Sequence, residues 1–166
     1  MNDRISNKEI FMRSAILFSQ RSTCARKQVG AVLVKADRII CCGYNGVLSH
    51  KEHCYEHFKK YFNDNNFNFS FEEWINSENF YDLHREFSIF ENHAESNLIS
   101  FAARNGICTD KSDLYITLSP CLDCSKLIVS SGILNVFYLE EYDRDVKGIE
   151  FLKNHGLYVE NYKINF

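Results

Sequence analysis

Two short stretches carry side chains that could do chemistry together. In "SPCLDC", residues 119–124, Cys121 and Cys124 stand three positions apart directly after Pro120, the only proline in the chain. Ser119 reads as a helix N-cap and Pro120 as the first helical residue, where its fixed φ fits and its missing N–H is not needed. Both sulfurs then lie on one face of a first turn, where the helix N-terminus favours their thiolate forms. Alone, the pair fits two small buried hydrophobes, on the stripe continued by Ile128, as well as it fits a metal. "HAE", residues 93–95, adds His93, and an imidazole with two thiolates is a three-ligand set that suits zinc and leaves a fourth position for water. Glu95 heads a stripe with Leu98, Ile99 and Ala102 on the core-facing side of a helix. It reads either as a capping-box residue behind Asn92 or, unligated beside activated water, as a general acid and base.

These side chains need a scaffold, and the flanking sequence supplies one. "NKEIFMRSAILFSQ" places Ile10, Ala15, Leu17 and Phe18 at roughly helical spacing behind Asn7 as a cap, which predicts a first helix over about residues 7–21. "QVGAVLVK" and "DRIICCGYNG" read as strands joined by a hairpin at "KADR". "HAESNLISFAARNG" is a helix closed by Gly106, "DLYITLS" a strand, "CLDCSKLIVSSG" a helix ending at Gly132, and "ILNVFYLE" a strand apolar on both faces. "DVKGIEFLKNHG" and "LYVENYKI" add a last helix and strand. The order predicts an α/β domain with a mixed sheet and helices on both faces. Between Gly46 and His93 lie 46 residues outside this pattern, longer than an unordered connection in a compact domain. Within them "SFEE" is a capping box ahead of Trp74, and Phe80, Leu83 and Phe87 repeat at helical spacing, so two short helices are expected, with "NDNNFNF" as an exposed loop.

Composition narrows the functions available. A length of 166 residues suits one domain with one core, and 45% hydrophobic against 25% charged residues excludes a disordered chain. The net charge of −3, with no long basic run, argues against a polynucleotide partner. No apolar segment is long enough to span a membrane, and the charged N-terminal segment does not read as a signal peptide. Seven cysteines, an odd number, fit thiols and metal ligands in the cytoplasm better than a disulfide framework. A small soluble ligand is the expectation.

H-x-E followed by P-C-x-x-C is the signature of zinc nucleobase deaminases, in which activated water attacks a ring carbon and the glutamate carries protons to the ring nitrogen and to departing ammonia. The blocks "RKQVGAVLVKADRIICCGYNG", "HAESNLISFAARNG" and "LYITLSPCLDCSKLIVSSGI" resemble deoxycytidylate (dCMP) deaminases, especially those of viral and phage type, over about residues 24–142. The resemblance implies a cytidine deaminase-like three-layer α/β/α sandwich with a mixed five-stranded sheet, one domain over residues 1–166, and an insertion at about 47–92. It implies His93, Cys121 and Cys124 as zinc ligands, Glu95 as proton shuttle, and Asn45, Arg26, Tyr142, Ala94 and Ser119 as substrate contacts, with Asn45 on the deoxyribose and Arg26 and Tyr142 near the 5′-phosphate. By composition alone Arg26 reads as a solvated surface charge.

Family members are often hexamers activated by dCTP with magnesium and inhibited by dTTP. That implies Gly43, Tyr44 and Gly46 as effector contacts and Arg104 as an interface residue. Phage-type relatives hold a second, structural zinc, whose matching positions are Cys24, Cys54, His84 and Glu91. A helix unbroken from His84 to Glu91 would separate them by about 10 Å, so any helix must end between them. His50, His53 and His57 are nearby alternatives as ligands, and Cys41, Cys42 and Cys108 receive no role. The same chemistry on dCTP or another cytosine nucleotide or nucleoside stands as the alternative, followed by a non-catalytic zinc-binding subunit of the same fold and by a redox protein using Cys121 and Cys124.

Overall fold

Side-chain alternation along three strands divides the core in two. In the computed structural model, which describes residues 4–142 and 145–164, Ala31, Leu33, Leu114, Ile116, Val136 and Tyr138 face one side of the sheet, and Val32, Val34, Tyr115 and Phe137 face the other. The strands are β1 (Gly30–Lys35), β2 (Arg38–Tyr44), β5 (Asp113–Leu118), β6 (Asn135–Glu140) and β7 (Tyr158–Asn161), in the order β2-β1-β5-β6-β7. β1 is antiparallel to β2 and β5, whereas β5, β6 and β7 run parallel, so the sheet is mixed as the sequence implies. Ala36 and Asp37 close the β1–β2 hairpin with φ of 50° and 56°, as a two-residue turn of the primed type requires.

Helix α1 (Asn7–Ser19) covers the Val32 face, and α5 (Ala94–Arg104), α6 (Leu122–Ser130) and α7 (Lys147–Asn154) cover the other. Two details of α1 differ from the sequence reading. Its cap is Ser6, whose Oγ accepts from the Glu9 N–H at 3.1 Å, so Asn7 is the first helical residue. Its buried face is Phe11, Met12 and Ala15, while Ile10 is 39% and Leu17 64% exposed. Residues three and four before Ala15 share its face, and Leu17, two positions on, cannot.

The segment between β2 and α5 is ordered throughout. It contains β3 (Gly46–Val47), α2 (Cys54–Asp64), α3 (Phe71–Ile75), α4 (Glu78–Phe87), a 3-10 turn (Ser88–Phe90) and β4 (Glu91–Asn92), with β3 and β4 paired antiparallel. The capping box at Ser70 and Glu73 forms as expected. α2 was not foreseen: it starts at His53, which makes no side-chain cap bond, and its apolar residues lie among charged ones. A third core, of Phe58, Phe71, Trp74 and Phe80 around Cys24, Ala25 and Cys54, holds this segment against the turn before β1.

Candidate active site

The starts of α5 and α6 meet beside the end of β2. His93 is the N-cap of α5 and Cys121 the N-cap of α6, and neither side chain caps its helix, which leaves imidazole and thiol for other work. His93 Nδ1 lies 3.4 Å from Cys124 Sγ and 3.6 Å from Cys121 Sγ. Tetrahedral zinc with Zn–N of about 2.0–2.1 Å and Zn–S of about 2.3 Å places nitrogen and sulfur ligands ~3.5 Å apart, so both nitrogen–sulfur spacings here suit one ion. Among the described residues no other His, Cys, Asp or Glu joins this group, so the set has three protein ligands rather than four.

The helix start at α6 departs from the sequence reading by two residues. Cys121, not Ser119, is the N-cap and Leu122, not Pro120, the first helical residue. Ser119 Oγ instead accepts from the Tyr142 N–H at 2.8 Å, and the capping is done from a distance by Asp145, whose carboxylate accepts from the Leu122 N–H at 2.8 Å. Pro120 is fully buried, and its carbonyl lies where a β-carbon on Gly148 of α7 would come within 2.0 Å. Asn92 likewise is not the cap of α5; it pairs with Gly46 in the small sheet.

Glu95 is 4% exposed, and burial pushes its carboxyl up to about 7. The Cys121 thiol is pulled down to about 4, first by a hydrogen bond from Cys124 and then by His93, while Cys124 is pushed up by the same bond and by burial. His93 is pushed up to about 9, chiefly by its hydrogen bond to Cys121. A proton-carrying acid, a thiolate and an imidazole thus share one site.

A cleft opens over this site and gathers the expected substrate contacts: Arg26, Asn45, Ala94, Ser119 and Tyr142 all line it with His93, Glu95 and Cys121. Asn45 is committed to holding its own loop. Its Oδ1 accepts from the Val29 N–H at 2.8 Å and the Ser22 hydroxyl at 2.7 Å, and its Nδ2 donates one hydrogen to Lys27 O at 2.8 Å, which leaves the second amide hydrogen for a ligand. Lys27, Tyr81, Arg85 and Ser88 also line the cleft and were missed by sequence reasoning. The available signals were the dibasic "RK" before β1 and an arginine following His84. Gly43 is buried, and a β-carbon there would stand 2.7 Å from Ala94 O and 2.8 Å from Leu98 Cβ, so packing against α5 already demands glycine. Tyr44 and Gly46 are half-buried, and Arg104 is exposed in the last turn of α5.

Behind one wall of the cleft lies a second cluster. Ligand atoms of Cys24, Cys54, His84 and Glu91 all fall within 4.8 Å of one another, with His84 Nε2 3.2 Å from Cys24 Sγ and 3.4 Å from Glu91 Oε2. The helix carrying His84 ends at Phe87, so the chain turns before Glu91 as the spacing requires. Glu91 Oε1 is buried with no hydrogen-bond partner, and burial pushes the acid up to about 7. With its orphaned carboxylate oxygen beside two sulfurs and an imidazole, the cluster offers a four-ligand set whose chemistry fits a metal ion. The alternative ligands lie elsewhere: His50 is exposed, His53 begins α2, and His57 stacks on Phe87 and faces Glu52.

Residues 5–140 match the family described as the cytidine and deoxycytidylate deaminase zinc-binding region. The deoxycytidylate deaminase of Enterobacteria phage T4 is 35% identical over 178 aligned positions, covering 90% of this chain and 86% of that protein. ComE operon protein 2 of Bacillus subtilis is 31% identical, over 98% of this chain and 75% of that one. The crystal structure of dCMP deaminase from cyanophage S-TIM5, in complex with dCMP and dUMP, superposes with a TM-score of 0.70 at 32% identity, covering 97% of this chain and all of that one.

Proposed function

The chain belongs to the cytidine and deoxycytidylate deaminase zinc-binding family, and on that premise we propose that it hydrolyses dCMP to dUMP and ammonia. The observation that carries the reading is the buried, unligated Glu95 beside a three-ligand set of one imidazole and two sulfurs, at the floor of a cleft. The substrates named for the phage relatives support dCMP in particular.

His93, Cys121 and Cys124 would hold a zinc ion, which when bound would supply Lewis-acid activation of a water molecule at near-neutral pH. Glu95 takes one proton from the water that adds at C4 of the cytosine ring and passes it to N3, then carries the remaining hydroxyl proton from C4–OH to the amine, so that C4–N breaks, C4=O forms and ammonia leaves. An acid held near neutrality by burial can give and take that proton. The remaining amide hydrogen of Asn45 reaches the sugar, Ala94 and Ser119 line the base, and Arg26 and Tyr142 stand at the phosphate end. Ammonia release from dCMP, dCTP, deoxycytidine and a tRNA fragment tests this. Preference for dCMP is expected, and equal or better turnover of another member of the panel would replace the substrate named here.

The orphaned oxygen of Glu91 supports a second, structural zinc on Cys24, Cys54, His84 and Glu91, ordering the insertion at about 47–92. About two zinc atoms per chain are expected, against one if the second cluster holds none. Regulation by dCTP with Mg2+ and by dTTP at Tyr44 and Gly46, with Gly43 in a packing role, and hexamer assembly through Arg104 complete the proposal. Among the described residues no helix is long and apolar enough to cross a membrane, and the unpaired cysteines suit a cytoplasmic enzyme.

A further inference from the structure

One end of the cleft is cationic, and its cations come from segments far apart in sequence. Arg26 and Lys27 precede β1, whereas Arg85 sits on α4, inside the insertion and directly after His84. Tyr81, also on α4, joins the two parts: the Arg26 guanidinium carbon lies 4.4 Å from its ring centroid. Among the described residues, Arg26, Lys27 and Arg85 form no ion pair with an acid. The acids lining the cleft are Glu91 and Glu95, the first committed to the Cys24–His84 cluster and the second to the floor of the site. In a chain of net charge −3, three cations without acidic partners at one lip are a local concentration of positive charge.

We propose that Arg85, with Arg26 and Lys27, binds the 5′-phosphate of the substrate, which makes the insertion a specificity element that selects a nucleotide over the uncharged nucleoside. The proposal rests on the cytosine-nucleotide reading above. A guanidinium meets a phosphate through two parallel charge-assisted hydrogen bonds, and the contact with the Tyr81 ring holds that of Arg26 at the cleft. Arg85 is placed by its neighbour: His84 is buried in the four-residue cluster, and the Ser88 hydroxyl ties the end of α4 by donating to Arg85 O at 2.7 Å. Three members of that cluster, Cys24, His84 and Glu91, line the same cleft, so the cluster fixes the position from which Arg85 reaches the ligand.

Comparison of R85Q with the unaltered protein on dCMP and on deoxycytidine tests this, together with calorimetric binding of dUMP and deoxyuridine, which needs no turnover. The ratio of kcat/KM for dCMP over deoxycytidine is expected to fall about tenfold or more, with KM carrying the change. dUMP should bind more weakly by a similar factor, zinc content should be retained, and R85K should recover part of the loss. An unchanged ratio and unchanged dUMP affinity in zinc-replete R85Q would overturn the proposal. Should R85Q fail to fold, K27Q and a salt series on the unaltered protein decide: dUMP affinity falls with rising salt if the lip binds phosphate, and indifference to salt overturns it. Absence of dCMP turnover in the unaltered protein would remove the parent reading, whereas good turnover with an unmoved ratio would remove this one alone.

Discussion

Glu91 and Glu95 are both buried acids pushed up to about 7 by their surroundings, yet their company assigns them different work. Glu91 shares its cluster with two sulfurs and an imidazole, whereas Glu95 lies outside the three-ligand group, which leaves its carboxyl available for the proposed proton transfer. Glu95→Gln preserves shape and hydrogen bonding but cannot carry a proton, so zinc content should hold while kcat falls about 10²–10⁴-fold in an ammonia-release assay. Retained turnover would take Glu95 out of the mechanism. The ligands themselves predict a pH dependence of metal uptake. In the metal-free protein His93 is pushed up to about 9 by Cys121, and Cys124 is pushed up by the same thiol, so both hold protons at neutral pH that a metal must displace. Cys121, pulled down to about 4 by Cys124, holds none. Zinc affinity should therefore rise with pH across neutrality, up to about a hundredfold per unit with about two protons released. Competition with a chromophoric chelator at several pH values measures the slope, and a flat profile would contradict it. His93, Glu95, Cys121 and Cys124 were legible in sequence because ligation demands particular types at short spacings, and Glu91 only through the family resemblance; the partners of Asn45 and the cationic lip as a group were not, because they depend on loops that only the fold brings together.

Each catalytic helix start is set by another element approaching so closely that only glycine fits. Gly43 of β2 lies under the first turn of α5, which carries Glu95, and Gly148 of α7 lies against Pro120 at the start of α6. Pro120, fully buried ahead of the cap, is rigid where α7 leans on it, which accounts for the single proline better than its expected place as the first helical residue. Gly43→Ala and Gly148→Ala should each destabilise the fold by about 1–3 kcal/mol and lower kcat beyond what the loss of folded protein explains, since α5 or α6 must shift. Thermal melts paired with active-site zinc content and kcat check this, and a wild-type kcat in a correctly folded variant would show that the helix starts tolerate displacement. The helices flanking the ligands could be placed from periodicity, but their first residues could not: Asp145 caps α6 from across a connection, a contact without a local signature. α2 escaped for the opposite reason, since its polar composition hides an apolar face that pays for itself only against Trp74 and Phe80.

On the scale of the molecule, the central sheet has two well-filled faces, whereas the insertion packs around the third core with the Cys24–Cys54–His84–Glu91 cluster at its root. A mixed sheet with helices on both faces followed from the order of elements along the chain, while the strand order and the convergence of positions 24, 54, 84 and 91 are reported by no local pattern. The two parts should therefore come apart separately. Cys54 is the one member of the cluster that does not line the cleft, so Cys54→Ser alters the root of the insertion without touching the substrate's surroundings. The variant should lose the second zinc and keep the first. In hydrogen exchange, the amides of α2, α3 and α4 should open while β1, β5 and β6 stay protected, because local stability follows local burial. Kinetically the loss should fall on KM for dCMP, since α4 carries Arg85 and Tyr81, while His93, Cys121 and Cys124 remain in place at the starts of α5 and α6. Uniform loss of protection across sheet and insertion would show instead that the protein folds as one cooperative unit, with the second cluster as much a part of the sheet's stability as the cores that flank it.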